Sequence, residues 1–308
     1  MTAGVMLPRD LAAAEIVPFA RRAEELGFGE VWVVEDLGFH GGIAQAATVL
    51  AVTRRIRVGI GILPAGARNV AFTAMELATL AHLHPGRVVA GIGHGVPGWM
   101  RQVGAWPSSP LTLFAEYARA LTGLMRGERV RVEGRYVRLA DAGLESPPET
   151  VPPVLAGVRG PKSLAVAGAE LDGVILAEPA PAEYIAAARR ILPPHARVVA
   201  FEHAVVHPDA ETARAQLRPL LAEVTKRSLV PHVEPLPFVA ELRELRARHA
   251  DAESFAAALP GEWVDALTLA GPADAVRQRI AGLGADSVVM IPVGRDRPAA
   301  LEALATAL

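Results

Sequence analysis

Short apolar runs rich in β-branched residues alternate along this chain with longer amphipathic stretches, the pattern of strands buried on both faces and joined by covering helices. Eight runs stand out: Gly4–Leu7, Glu30–Glu35, Ile56–Leu63, Val88–Gly93, Pro153–Gly157, Gly173–Ala177, Arg197–Val205 and Ser287–Val293. Between them a helical period predicts helices over Glu15–Leu26, Ala71–Leu83, Leu111–Met125, Lys162–Ala169, Pro181–Ile191 and Ala273–Leu283. Most open on a turn residue or proline, and Gly27, Gly127 and Gly284 fall where C-caps belong. Eight strands with eight crossovers predict an α/β fold of the (β/α)8 TIM barrel type, with a doubly wound sheet as the alternative. Two interruptions break the rhythm: a hairpin-like Val130–Leu139 around Gly134, inside an insertion of about 128–150, and a helical excursion over about 230–265. No polar or proline-rich linker divides the chain, so a single domain over 1–308 is expected, with both insertions over the ligand-binding mouth.

Composition narrows the function. With 31 basic against 33 acidic side chains the formal charge is −2, too balanced for attraction to nucleic acid or an anionic membrane. Half the residues (51%) are apolar and 21% are charged, enough for a large core. The longest uncharged stretch, Leu37–Val52, carries His40, Gln45 and paired glycines and is too short for a span. Arg9 and Asp10 interrupt any leader-like apolar run, which points to a cytoplasmic protein. Cysteine is absent, removing thiolate metal sites and cysteine nucleophiles, so redox chemistry has to come from a cofactor.

Candidate chemistry sits at the strand ends. The second strand closes on Glu35 and Asp36, acids at the height of a barrel's catalytic groups, though turn or cap acids look the same in sequence. The third carries Gly59 and Gly61 around Ile60, where a bulge or the close approach of a flat ligand explains glycine in a strand. The fourth ends Gly91-Ile92-Gly93-His94-Gly95-Val96, which is no dinucleotide fingerprint but suits a planar ligand lying on bare backbone while His94 donates a hydrogen bond. His82, His84 and His94 have no carboxylate at ligand spacing, so no metal is expected. After the fifth strand, Gly157-Val158-Arg159-Gly160-Pro161-Lys162-Ser163 reads either as an anion seat at a helix N-terminus or as an ordinary turn. Lys162 is one of only two lysines. His40, Trp99, Met100 and Trp106 supply an aromatic and apolar lining for a small, hydrophobic substrate.

Taken together, the segments 23–36, 53–61, 74–80, 84–95, 167–176 and 270–276 resemble the luciferase-like monooxygenase family over nearly the whole chain. The stretch Gly93-His94-Gly95-Val96-Pro97-Gly98-Trp99-Met100-Arg101-Gln102-Val103-Gly104 is most similar to its branch dependent on the deazaflavin coenzyme F420. That resemblance implies hydride transfer between the coenzyme and a substrate carbon, a non-prolyl cis peptide at Gly61–Ile62 in a bulge behind the ring, and the phosphate arm on Gly157, Gly160, Lys162 and Ser163. The coenzyme ring would face Gly61, Ile62, Gly91, Gly93 and His94. Two departures stand out: Asp36 replaces the histidine that commonly follows the acid of the second strand, and Val96 replaces an acid common in the sugar- and alcohol-dehydrogenating branch. Proton transfer then falls to Asp36 with Glu35 or His94. The alternatives are an FMN-dependent monooxygenase, a non-catalytic flavin-binding protein and, from the fold alone, a phosphate-binding aldolase or isomerase. A homodimer is expected, with the Ala- and Gly-rich segment 41–51 suited to close helix packing.

Overall fold

A computed structural model describes residues 1–308. Its strands are β1 (Thr2–Met6), β2 (Glu30–Val33), β3 (Arg57–Pro64), β4 (Val88–Gly93), β5 (Val130–Glu133), β6 (Arg138–Ala142), β7 (Val154–Gly157), β8 (Gly173–Leu176), β9 (Arg197–Val206), β10 (Leu269–Gly271) and β11 (Ser287–Pro292). The helices are α1 (Ala13–Glu25), α2 (Gly42–Val52), α3 (Val70–Leu83), α4 (Pro97–Gln102), α5 (Pro110–Met125), α6 (Pro161–Glu170), α7 (Ala182–Arg189), α8 (Ala210–Leu217), α9 (Val230–Val233), α10 (Val239–Arg248), α11 (Ala252–Ala257), α12 (Gly261–Leu267), α13 (Ala273–Gly282) and α14 (Arg297–Ala305).

Eight of the strands pair in parallel in the order β1-β2-β3-β4-β7-β8-β9-β11, and β11 returns to β1, closing a (β/α)8 barrel. All eight lie where the apolar runs predict them. The hairpin β5–β6 is antiparallel and stands apart from the barrel sheet, while β10 adds to the far end of β9 through Leu269, Ala270 and Gly271. Gly27, Gly127 and Gly284 have φ of 94°, 80° and 79°, the left-handed conformation that ends helices at low cost for glycine. No helix is long and apolar enough to cross a membrane.

Three apolar clusters form the interior. The largest lies between the barrel and its helices, and a second packs α8 and α10–α12 of the excursion around Phe255 and Leu242. The third fills the barrel itself, with Trp32, Val89, Leu155, Ile175, Val199, Phe201, Val289 and Ile291. Trp32 and Phe201 meet edge to face, ring centroids 5.4 Å apart. Below them the barrel is plugged by a buried carboxylate: Glu30 accepts from Trp32 Nε1 (2.8 Å), Ser287 Oγ (2.7 Å) and the guanidinium groups of Arg57 (2.9 Å) and Arg197. Every oxygen of Glu30 therefore has a donor, which is what lets a charge stand at 0% exposure. With its lower end plugged, the barrel is open to a ligand only at the C-terminal ends of the strands.

Candidate active site

The strand glycines explain how the mouth is built. A Cβ on Gly59 would come within 2.3 Å of the Trp32 indole. On Gly91 it would meet the Ile60 carbonyl at 2.1 Å and Ile175 at 2.6 Å, and on Gly157 it would meet Ile62 at 2.6 Å. Gly93 is closed in by the Gly157 carbonyl and by Ile62. These positions therefore make room for Trp32 and Ile62, so Ile62 covers the bare backbone that the sequence suggests for a flat ligand. Ile62 itself stands in the bulge where the β3–β4 register slips between Ile60 and Leu63, and the Gly61–Ile62 peptide is cis.

Around this floor the side chains expected from sequence fall on three loops. Glu35 accepts from the Gly42 N–H that begins α2 (2.8 Å) and from both arms of Arg68 (2.5 and 3.3 Å), tying the β2–α2 loop to the β3–α3 loop. Asp36 takes Arg9 at 2.7 Å and is 22% exposed. His40 donates to the Leu11 carbonyl at 3.1 Å. Met100 is buried, near the space a Cβ on Gly95 would need, and Trp99 is half-buried beside it. Trp106 lies under Arg101 and lines a separate cavity of about 430 Å³ with Arg68, Asn69, Tyr117 and Tyr136.

His94 and the start of α6 come together. His94 Nε2 lies 3.0 Å from Ser163 Oγ, joining the end of β4 to the loop after β7. Burial depresses the His94 pKa, partly offset by a hydrogen bond to the Pro110 backbone, so the ring is neutral at physiological pH. Gly160 caps α6, Pro161 occupies its first turn, and a Cβ on Gly160 would meet open space. The N–H groups of Lys162 and Ser163 find no backbone acceptor, and Lys162, unlike Lys226, has no carboxylate partner. Free N–H groups beside an unpaired cation at a helix start are groups to which an anion could bind.

Two titratable groups at the mouth escape the sequence reading. His203 follows Phe201 by two on β9, and Glu178 lies two residues past β8. Outside the barrel wall, Glu202 accepts the Ala180 N–H (2.6 Å) while its second oxygen has no partner, and His232 Nδ1 donates to the Pro179 carbonyl (2.7 Å). The two clasp one peptide unit, next to the cis Glu178–Pro179 bond. Desolvation lifts the Glu202 carboxyl well above the carboxylate range, against the pull of the Ala180 hydrogen bond and with a further lift from the Glu178 charge. A polar pair inside an apolar strand, Glu202-His203, is the signal that could have found them.

The model of the luciferase-like monooxygenase family matches residues 1–289. The chain belongs to this family. Among relatives, a 5,10-methylenetetrahydromethanopterin reductase of Archaeoglobus fulgidus is 25% identical over 98% of this chain and 97% of its own length. Its counterpart in Methanolobus tindarius is 30% identical, matched over 62% of this chain and 58% of that protein. An F420-dependent glucose-6-phosphate dehydrogenase of Microbacterium testaceum is 33% identical over 52% of each. The chain therefore spans little more than half the length of several relatives it matches. The coenzyme F420-dependent tetrahydromethanopterin reductase of Methanopyrus kandleri superposes with a TM-score of 0.80 at 21% identity, over 99% of this chain and 97% of that one. An F420-dependent secondary alcohol dehydrogenase holding an F420-acetone adduct superposes at 0.78 and 19%, over 100% and 98%. Similarity at that identity speaks for the luciferase-like barrel fold alone.

Proposed function

We propose that this luciferase-like protein is an F420-dependent oxidoreductase that moves a hydride between the deazaflavin and a small, hydrophobic organic molecule. The observation that carries the reading is the anion seat at the head of α6, joined through Ser163 and His94 to the glycine-lined mouth. Relatives named as F420-dependent support the choice of coenzyme.

The residues fit such a group. Lys162, Ser163 and Gly160 would hold its phosphate, with open space at Gly160 and unpaired N–H groups facing it. Gly157, Gly91 and Gly93 let Ile62 form an apolar floor under the ring, beside Gly61 and His94. When bound, the deazaflavin supplies a two-electron carrier with little tendency toward one-electron oxygen chemistry. The protein's own part is to orient the ring, exclude water and handle the proton, for which Asp36, Glu35 and His94 are the groups on the rim. Glu35, held by Arg68 and Gly42, positions the loop that carries Asp36. His40 and Trp99 would border the substrate, over a loop held by Met100.

We further propose a homodimer in the cytoplasm. The outward positions of α2 (Ala44, Thr48, Ala51) carry no charge, and on α3 Phe72, Met75 and Leu83 are 65%, 53% and 68% exposed, with Glu76 beside them turned to Arg68.

Titrating the purified chain with F420 and with FMN while following coenzyme fluorescence tests the assignment. Saturable binding of F420, weakened at least tenfold in Lys162→Ala, is expected. Tight FMN binding with no response to F420 would make the protein an FMN-dependent monooxygenase instead. F420 binding with no redox change under any hydride donor or acceptor would make it a carrier.

A further inference from the structure

The groups nominated for proton transfer are engaged by the protein: Glu35 by Arg68 and Gly42, Asp36 by Arg9, His94 by Ser163. His203 and Glu178 are not. Neither side chain has a hydrogen bond or ion pair within the chain, and both are partly exposed.

Strand alternation sets where His203 points. Val199 and Phe201 belong to the cluster inside the barrel, and Arg197, two residues earlier still, reaches the Glu30 plug. Val198, Ala200 and Ala204 belong to the outer core, on the Glu202 side of the strand. His203 continues the inward series. Its register partner on β11 is Ile291, itself inside the barrel, so His203 stands at the top of the barrel filling, open to the mouth. Glu178 follows the end of β8, the strand hydrogen-bonded to β9. The peptide just after it is held from both sides by Glu202 and His232. On β11 no residue from Ser287 to Pro292 is charged and Glu202 faces away, which leaves Glu178, at the end of the neighbouring strand, as the acid whose charge acts on His203.

We infer that His203, backed by Glu178, is the proton-accepting group on the substrate side of the mouth, serving a substrate whose reacting carbon bears an O–H or N–H. The inference rests on the proposed F420 chemistry. As the substrate C–H bond breaks and its electron pair leaves as hydride to the oxidised deazaflavin, the O–H or N–H proton passes to the His203 ring. A carbonyl or imine remains, and the imidazolium is balanced by the Glu178 carboxylate. In the reverse direction His203 returns that proton. Burial keeps the free ring neutral and able to accept, while Glu178 favours the protonated form.

The test uses the full chain with 15N-labelled histidine rings, His203 being identified by the signal lost in His203→Gln. Its titration midpoint should lie below the usual histidine range and fall further in Glu178→Gln, while Glu183→Gln on α7 leaves it in place. Saturating F420 should shift the His203 ring signals. An unchanged midpoint in Glu178→Gln overturns the pairing. F420 that binds by fluorescence yet leaves the His203 signals unmoved overturns the placement at the reacting centre. A chain that binds no F420 but retains the Glu178 effect brings down the coenzyme reading, and the proton role with it, while leaving the pair itself standing.

Discussion

Glu30 is the residue on which the lower half of the barrel depends. Four donors from three other strands and its own converge on one carboxylate, and removing it strands the Trp32 N–H and the Ser287 hydroxyl in a space closed to water and takes the acid from the partly exposed Arg57 and Arg197. Each buried donor left without an acceptor costs about 1–3 kcal/mol, so Glu30→Ala should lower the midpoint of thermal unfolding by several degrees, as read by circular dichroism. The glycines separate by the same kind of argument. Gly59→Ala forces a methyl into the Trp32 ring, an overpacking that costs about 1–3 kcal/mol or more, whereas Gly160→Ala meets open space at an ordinary φ of −88°. Urea unfolding should show the first destabilised and the second within about 0.5 kcal/mol of the wild type.

At the scale of elements, the excursion between β9 and β11 is pinned to the barrel through α9. His232 stacks on Tyr184 with centroids 4.4 Å apart, donates to the Pro179 carbonyl, and leaves Nε2 buried without a partner. Burial lowers its pKa to about 4, against the lift from the Pro179 bond. In the unfolded chain the ring titrates near the ordinary value of about 6.5. Between those values the unfolded state takes up a proton that the folded state refuses. The stabilisation is therefore complete above pH of about 6.5 and declines as pH falls, by about 3 kcal/mol at pH 4. Glu202, with its raised pKa, acts in the opposite sense, contributing most at low pH and losing that contribution as pH rises. Comparing wild type with His232→Phe at each pH cancels Glu202, and the difference in unfolding free energy should shrink as pH drops from 7 to 4. The hairpin β5–β6 is held differently, by Glu116 of α5 accepting the N–H groups of Arg135, Tyr136 and Val137 at 2.8–3.0 Å.

For the whole molecule, the proposed dimer would use the apolar outer positions of α2 and α3. Met75→Glu places a charge in the middle of the α3 face, at a residue that is 53% exposed and outside the core. Light scattering should then show a monomer where the unaltered chain is a dimer, with the circular dichroism spectrum unchanged; a wild-type chain that is already monomeric removes the dimer.

Periodicity alone located all eight barrel strands, because a strand buried on both faces must be a nearly unbroken apolar run and its ends are marked by turn residues. The β5–β6 hairpin and the helical excursion were legible for similar local reasons. The start of α6 was legible too, since glycine followed by proline at a helix start is a local pattern. The partners of Glu35, the filling of the strand glycines by Trp32 and Ile62, the Glu30 plug and the place of His203 opposite Ile291 were decided only by tertiary structure. Each joins residues from strands far apart in the chain, and which side of a strand faces the barrel depends on register, which no single run of sequence carries.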